Sequence, residues 1–257
     1  MHIAEPLQYM SGASCAPVSS LRLGVLAVQG AFQEHVHILN ALLNTPVQPL
    51  GLLSGETTTA NPPKATSYTL DSVQLVRTPE ELAAVDGLII PGGESTTMAL
   101  IAERSGLWEP LVEFTRQKPT WGTCAGLILL ASQATGTKQG GQRLLQSLDI
   151  HVQRNRFGSQ LGSFEAELDA PCLKMFGEMP FRAVFIRAPI VTHVGSSAVK
   201  VLAEIPAPHT GVETVAVQQG YCLATAFHPE LTSDDRWHRY FLALVAQYKY
   251  KLPNLQN

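Results

Sequence analysis

Five residues, Gly122-Thr123-Cys124-Ala125-Gly126, have the pattern of a nucleophile elbow with cysteine at its apex. The stretch around them, Lys118 to Leu130, reads as a short strand, a sharp turn and a helix. In an elbow the nucleophile is held in a strained backbone conformation between strand and helix. Glycines two residues to either side let strand and helix crowd together without clashing Cβ atoms. The thiol then lies at a helix N-terminus, where backbone N–H groups and the helix dipole favour thiolate. The N–H of Ala125 points where an oxyanion would form. A lone cysteine is more often an inert core thiol, so the elbow needs partners elsewhere in the chain.

His228-Pro229-Glu230 supplies them. Two residues apart, imidazole and carboxylate share one side if the preceding strand continues extended. Proline fixes its own φ and restricts the histidine before it to extended conformations. The carboxylate can then orient an imidazole whose other nitrogen faces a thiol, which is the Cys-His-acid form of triad logic. The histidine takes the thiol proton and passes it to a leaving amine. Three residues in a row are a weak signal by themselves. An elbow cysteine followed by His-Pro-Glu at a strand end is a specific one.

The elements that must position these groups follow from periodicity. Leu21–Val28 is a continuous apolar run, as expected of a strand buried on both faces. Gln29-Gly30 turns it into a helix over Ala31–Leu43, with Phe32, Val36, Leu39 and Leu43 at helical spacing. His35 and His37 lie in that helix with no third ligand at hand and read as surface or interface histidines. Asn44–Asp71 is rich in Thr, Pro, Ser and Gly and reads as a long surface insertion. Ser72–Arg77 predicts a strand, Pro79–Ala84 a short helix opened by proline, and Asp86–Ile90 a buried strand. That strand runs into Pro91-Gly92-Gly93-Glu94-Ser95-Thr96, a turn that opens a helix over Thr96–Arg104. Glycines there let the backbone approach a ligand. The turn lacks the Gly-Lys-Ser/Thr ending of a phosphate loop, and a tight structural turn is the plainer reading. A helix over Leu107–Gln117 leads to the elbow.

Strands alternating with helices predict an α/β fold, an open and mainly parallel sheet with helices on both faces. Ligands in such sheets bind outside the carboxyl ends of the strands. The turns at Gln29, Gly92-Gly93 and Cys124 all fall at such ends and share one rim in this reading. After the elbow the pattern changes to strands with few helices between them: Ser147–Gln153, Gly162–Leu168, Phe181–Ile186 and Val199–Glu204. Val212–Val217 and Tyr221–Phe227, joined by Gln218-Gln219-Gly220, predict a hairpin. Arg154 and Arg156 lie in a polar, glycine-ended loop and could hold a carboxylate, although a solvated loop is the commoner case; Arg187 follows the apolar Ala183–Ile186, where a buried strand emerges. A last amphipathic helix starts near Ser233, with Asp234 and Asp235 in its first turn. Its stripe Trp237, Tyr240, Phe241, Leu244 and Tyr248 reads as packing.

Composition narrows the function classes. Of 257 residues, 45% are hydrophobic and 15% charged, ample for a globular core. A net charge of -3 implies no basic surface for nucleic acid. No apolar run reaches membrane-spanning length. Cys15, Cys124, Cys172 and Cys222 are scattered, which argues against a disulfide framework or zinc knuckle and fits a reducing cytosol. No metal or cofactor is expected. Residues 1–20 lack the features of a signal peptide and read as a flexible extension before a domain over 21–250, with a tail over 251–257.

The elbow together with His228-Pro229-Glu230 resembles the class I, or triad, glutamine amidotransferases. The resemblance narrows with Val28-Gln29-Gly30-Ala31-Phe32-x-Glu34-His35, Pro91–Met98, Arg154-Asn155-x-Phe157-Gly158, Ser163-Phe164-Glu165-Ala166, Phe185-Ile186-Arg187-Ala188-Pro189 and Ala226–Thr232. Together these are similar to the glutaminase-subunit family of pyridoxal 5′-phosphate synthases, from about Leu23 to the final helix. The N-terminal extension and the 44–71 insertion depart from compact members, and the loop near Pro206–Gly211 is variable.

The resemblance implies a flavodoxin-like fold with added antiparallel strands in the C-terminal half. It implies hydrolysis of L-glutamine to L-glutamate and ammonia, and delivery of the ammonia to a separate synthase subunit. It makes Cys124 the nucleophile, His228 the base and acid, and Glu230 the orienter. Gly93 and Ala125 N–H groups would form the oxyanion hole. Gly93, Glu94, Ser95, Arg154, Ile186 and Arg187 would hold glutamine, with Glu94 suited to its α-amino group. Gln29, Gly30, Ala31 and Phe32 would form the partner edge. Other triad amidotransferases and γ-glutamyl hydrolases are the neighbouring readings. A noncatalytic scaffold subunit would have no use for an intact triad, and a redox-type elbow cysteine would not need His-Pro-Glu.

Overall fold

The computed structural model describes residues 19–47, 50, 68–136, 141–154, 162–207 and 211–251. The first strand, β1 (Ser19–Leu26), leads to α1 (Phe32–Ala41). A short β2 (Pro46–Val47) precedes β3 (Tyr68–Val76), α2 (Pro79–Ala83) and β4 (Gly87–Ile90). Then come α3 (Ser95–Arg104), α4 (Trp108–Gln117), β5 (Thr120–Thr123) and α5 (Ala125–Leu130). The second half is strand-rich: β6 (Ala131–Thr135), β7 (Leu148–Gln153), β8 (Ser163–Leu168), β9 (Phe181–Ile186), β10 (Ile190–Val194), β11 (Val199–Ala207), β12 (Gly211–Gln219) and β13 (Cys222–Thr225). The helix α6 (Arg236–Lys249) closes the described chain.

The main sheet runs β2-β3-β1-β4-β5-β13-β12-β10-β7-β6, with β11 added beside β12. Its centre, β3-β1-β4-β5-β13, is parallel throughout. The strands beyond β13 are joined mainly antiparallel, and β8 and β9 form a separate hairpin. This is the mixed sheet expected, with its antiparallel part in the C-terminal half. Every residue of β4, β5 and β13 is buried, so both faces of the centre are covered. On one side α1 and α6 meet through His35 and His238. The other helices pack along a second chain, α2 on α4, α4 on α3, α3 on α5.

Several boundaries differ from the sequence expectation. The segment read as insertion up to Asp71 is partly strand: Tyr68–Asp71 belong to β3, paired in parallel with β1. Tyr68 and Leu70 are buried in the core, which outweighs the polar composition before them. The rest of that insertion, apart from 44–47 and Leu50, lies outside the described residues, as do Met1–Val18, Asn155, Arg156, Phe157, Gly158 and the tail from Leu252. Ser19 and Ser20, assigned to the extension, begin β1. Strands β6 and β10 and a 3-10 turn over Pro171–Phe176 were not expected from periodicity, because each is short and only part of it is buried. Asp234 and Asp235 precede α6 rather than lying in its first turn. They bind Arg236 and Arg239 instead, Asp234 Oδ2 at 2.6 Å and Asp235 Oδ1 at 2.7 Å.

The elbow glycines act as expected. A Cβ on Gly122 would lie 2.4 Å from the carbonyl carbon of Gly126, and one on Gly126 would lie 2.1 Å from the carbonyl oxygen of Ile90. Both obstacles are backbone, so neither can swing away. Gly126→Ala should therefore lower stability by about 1–3 kcal/mol or more, the usual cost of forcing atoms into a filled core. Thermal unfolding checks this. A melting temperature equal to that of the unmutated chain would mean that α5 does not need this close approach to β4.

Candidate active site

The backbone places the thiol. Cys124 follows β5 directly and takes φ 47°, ψ −98°, a conformation L residues rarely adopt. It is held there because its N–H donates to the carbonyl of Thr225 at the end of β13, at 2.8 Å. Its carbonyl accepts from Ile128 in the first turn of α5. The side chain is buried except for a small window onto a cleft, and Sγ approaches the Ile186 carbonyl at 3.9 Å.

His228 arrives differently from the sequence expectation. β13 ends at Thr225, and Pro229–Leu231 form a 3-10 turn. Imidazole and carboxylate are thus not neighbours on an extended strand. The turn folds Glu230 back onto the ring, with Nδ1 and Oε1 2.7 Å apart. The His228 N–H donates to the Val184 carbonyl of β9 at 2.8 Å, which pins the turn to the hairpin. With Nδ1 engaged by the carboxylate, the other ring nitrogen is the one left to hydrogen-bond Cys124. Burial opposes a charge on the ring, but Cys124 and Glu230 outweigh it and push the His228 pKa up to about 10. The imidazolium form is therefore available to protonate a leaving group.

The cleft over the thiol has a volume of about 470 Å³. The expected rim is there: Gln29, Gly30 and Ala31 from the end of β1, Gly92 to Ser95 after β4, Cys124 and Ala125 at the elbow. Ile128, Arg154, Ile186, Arg187 and His228 complete the lining. Glu230 lies beneath His228, its side chain fully covered. Phe32 stands next to this rim under the guanidinium of Arg77, 5.9 Å from its ring centre. Arg187 is exposed at the end of β9 with φ 45°, so strained backbone occurs on two sides of the cleft.

The Gly92-Gly93-Glu94 turn is clamped to the β1 turn. The Gly92 carbonyl accepts from Ala31 N–H at 2.9 Å, and Gln29 Oε1 accepts from Glu94 N–H at 2.8 Å. Because the peptide is trans, the Gly93 N–H points away from Ala31. Gly30, at φ 102°, permits the contact: a Cβ there would sit 1.9 Å from the Gly92 oxygen. A Cβ on Gly92 would meet the His228 ring at 2.4 Å.

Glu94 is engaged within the chain rather than presented free. Its carboxylate caps α3 by accepting from Thr96 N–H and, at 2.8 Å, from Thr97 N–H, and it receives Arg154 Nη2 at 2.9 Å. Partial burial works against its charge, but Thr97, Thr96 and Arg154 outweigh burial and bring its carboxyl down to about 2. Arg154 also donates to Gln142 Oε1 at 3.3 Å, and Ser95 Oγ donates to the same oxygen at 3.0 Å. Gln142 was not anticipated. It lies in an irregular stretch with neither periodicity nor motif, so nothing in the local sequence marks it.

His35 is the clearest correction. It was read as a surface or interface histidine, yet it is completely buried, behind Glu230. The signal was present: position 35 is three after Phe32 and four before Leu39, on the apolar face of α1. His37 is exposed, as expected. Among the described cysteines Cys172 and Cys222 are also free thiols. Burial pushes Cys172 up to about 12 and Cys222 higher still, so both remain protonated.

A strained thiol, an imidazole and a covered carboxylate at the strand ends of a mainly parallel sheet define the triad amidotransferase class. The family model of the SNO glutamine amidotransferase family matches residues 25–247, and the chain belongs to that family. It is 44% identical over 249 residues to the probable pyridoxal 5′-phosphate synthase subunit PDX2 of Arabidopsis thaliana, covering 88% of this chain and 87% of that one. It is 46% identical to the pyridoxal 5′-phosphate synthase subunit PdxT of Pelotomaculum thermopropionicum, covering 86% and 94%. A crystal structure of a glutamine amidotransferase superposes with a TM-score of 0.66 at 36% identity, covering 87% of this chain and 98% of that one.

Proposed function

We propose that Cys124, His228 and Glu230 carry out the hydrolysis of glutamine in this chain, with Gly93 and Ala125 N–H groups receiving the oxyanion. The chain hydrolyses L-glutamine to L-glutamate and ammonia, and the ammonia serves pyridoxal 5′-phosphate, vitamin B6, synthesis. The observation that carries the residue roles is the thiol and imidazole lining one cleft, with His228 Nδ1 2.7 Å from the covered Glu230 carboxylate. The Cys124 thiolate attacks the γ-carbonyl carbon, and charge moves onto the carbonyl oxygen. His228 protonates the amide nitrogen as its bond to carbon breaks, releasing ammonia and leaving a γ-glutamyl thioester. A water then attacks the thioester, His228 takes its proton, and glutamate leaves as the thiolate re-forms.

Gly93, Glu94, Ser95, Arg154, Ile186 and Arg187 hold the glutamine. In this reading Glu94 contributes chiefly by fixing Arg154 and the start of α3, and an incoming α-amino group competes for its oxygens. A synthase subunit is the partner, docking at Gln29, Gly30, Ala31 and Phe32. Free thiols support a cytoplasmic location, and no helix among the described residues is long and apolar enough to cross a membrane.

The clamp between the two turns supports control by the partner. The hydrogen bonds of Ala31 to the Gly92–Gly93 peptide and of Gln29 to the Gly93–Glu94 peptide hold Gly93 from both sides, so a partner seated on the β1 turn acts on the oxyanion donor without touching substrate. Adjacent glycines make a peptide flip sterically cheap. A misplaced oxyanion donor costs about 10²–10³-fold in turnover. Glutamate release should therefore rise by that order when saturating synthase subunit is added, and Gln29→Ala should blunt the rise. Full turnover in the isolated chain, unchanged by synthase, would exclude this control.

A further inference from the structure

Behind Glu230 lies a polar chain that the glutaminase chemistry described above does not use. His35 Nε2 is 3.4 Å from Glu230 Oε2 and 3.3 Å from Thr123 Oγ1, and His35 Nδ1 is 3.0 Å from His238 Nε2. His35, His238 and the Glu230 side chain are fully buried, and Trp121 packs edge-on against both imidazoles. Among the described residues, Glu230 Oε2 has no well-aligned hydrogen-bond donor, and the nitrogen of His35 is its polar neighbour. Thr123 is the residue before the nucleophile. The array therefore runs from the last helix, through α1, to the acid of the triad.

We propose that His35 is a positioning residue for glutamine hydrolysis: its Nε2–H faces the second oxygen of Glu230, and His238 fixes it in that tautomer. The inference rests on the triad roles assigned above.

The tautomer follows from what each alternative leaves unpaired. Burial, then His238 and His228, hold the His35 pKa well below its ordinary value, and burial, opposed by Asp235, brings His238 down to about 3. Both rings are therefore neutral, and across their 3.0 Å contact one donates and the other accepts. If His35 Nδ1 donated, its Nε2 could accept from the Thr123 hydroxyl, but a lone pair would also face a carboxylate oxygen. His238 Nδ1–H would then be a buried donor with no partner. If His238 Nε2–H donates, His35 turns an N–H toward Thr123 and Glu230, and what remains unpaired is an acceptor on His238. The second arrangement avoids both penalties.

The consequence is a carboxylate bonded at Oε1 by His228 and faced at Oε2, 3.4 Å away, by the His35 N–H edge. The titratable groups facing His35 are Glu230 and His228 from the turn after β13 and His238 from α6, whose own neighbour is Asp235; β5 presents Thr123 and Trp121, which do not titrate here.

The test uses two amide variants assayed with saturating synthase subunit. Glutamine places its amide nitrogen near the position of histidine Nε2, and asparagine near that of Nδ1. His35→Asn should lower kcat by roughly 10- to 100-fold, the scale of a hydrogen bond to a charged group, with KM little changed. His35→Gln should restore most of kcat. Equal kcat in the two variants would overturn the proposal.

A measurement on the unmutated chain needs no variant to fold. The ¹⁵N-histidine NMR spectrum should show His35 protonated at Nε2, and protonation at Nδ1 would overturn the proposal as well. Failure of the underlying triad reading is separately visible, because Cys124→Ala would then keep its glutaminase activity.

Discussion

Cys124→Ala should lose glutamine hydrolysis by on the order of 10⁶-fold, the size seen when a covalent nucleophile is removed, while remaining folded and able to bind a synthase subunit. The side chain occupies a position that makes both halves of this expectation specific. Its backbone strain is maintained by Thr225 and Ile128, whose hydrogen bonds go to main-chain atoms and survive the substitution. Alanine removes Sγ and leaves that pair of bonds intact. The cleft retains its rim, so glutamine should still bind and the loss should fall on kcat. The same assignment predicts that a γ-glutamyl affinity label modifies Cys124 and spares Cys172 and Cys222, which burial holds as protonated thiols. Mass spectrometry of labelled peptides separates the cases. A label on Cys15, Cys172 or Cys222, or substantial turnover in the alanine variant, would remove Cys124 from the nucleophile's role.

Glu230→Gln should reduce turnover by up to about 10⁴-fold, the scale of a triad acid, with a smaller loss expected for a thiol nucleophile that ionises more easily than a hydroxyl. The carboxylate accepts from His228 at Oε1 and can donate from neither oxygen. An amide in its place can turn its NH₂ toward His228 Nδ1, and the ring must then accept there and carry its proton on the nitrogen facing the thiol. That is the wrong tautomer for removing a proton from Cys124. The side chain is fully covered, so water cannot substitute for the lost acceptor. The push that raises His228 also loses one of its sources, so the basic limb of the pH–rate profile should move to lower pH. Turnover and pH profile unchanged from the unmutated enzyme would show that Glu230 does not orient His228.

Much of the site was legible because local rules determine it. An elbow needs glycines where strand and helix touch, and Gly122 and Gly126 show that need at the level of single backbone atoms. The strand-end turns at Gln29, Gly92-Gly93 and Cys124 were placed on one rim by topology, since parallel strands carry their carboxyl ends to the same edge. Their convergence on one cleft follows from the parallel order β1-β4-β5. Gln142 escaped, and so did the ion pair of Glu94 with Arg154, because each depends on a residue that is distant in the chain.

What the sequence by itself determined is the chemistry and the class of fold: a thiol between two glycines, a histidine and a carboxylate two residues apart, and buried strands alternating with helices. These are short-range patterns, set by backbone sterics, side-chain period and residue type. Only the tertiary structure decided how the triad is assembled. His228 and Glu230 meet through a 3-10 turn pinned to β9 at Val184, and not along an extended strand. His35 became part of the buried array because α1 and α6 close over the end of β5, which turned a polar residue on an apolar helix face inward against Glu230 and His238. The physical reason is that burial and hydrogen-bond partnership belong to pairs of elements brought together by packing. His35 and His238 are 203 positions apart in the chain, and no local pattern can carry a contact between them.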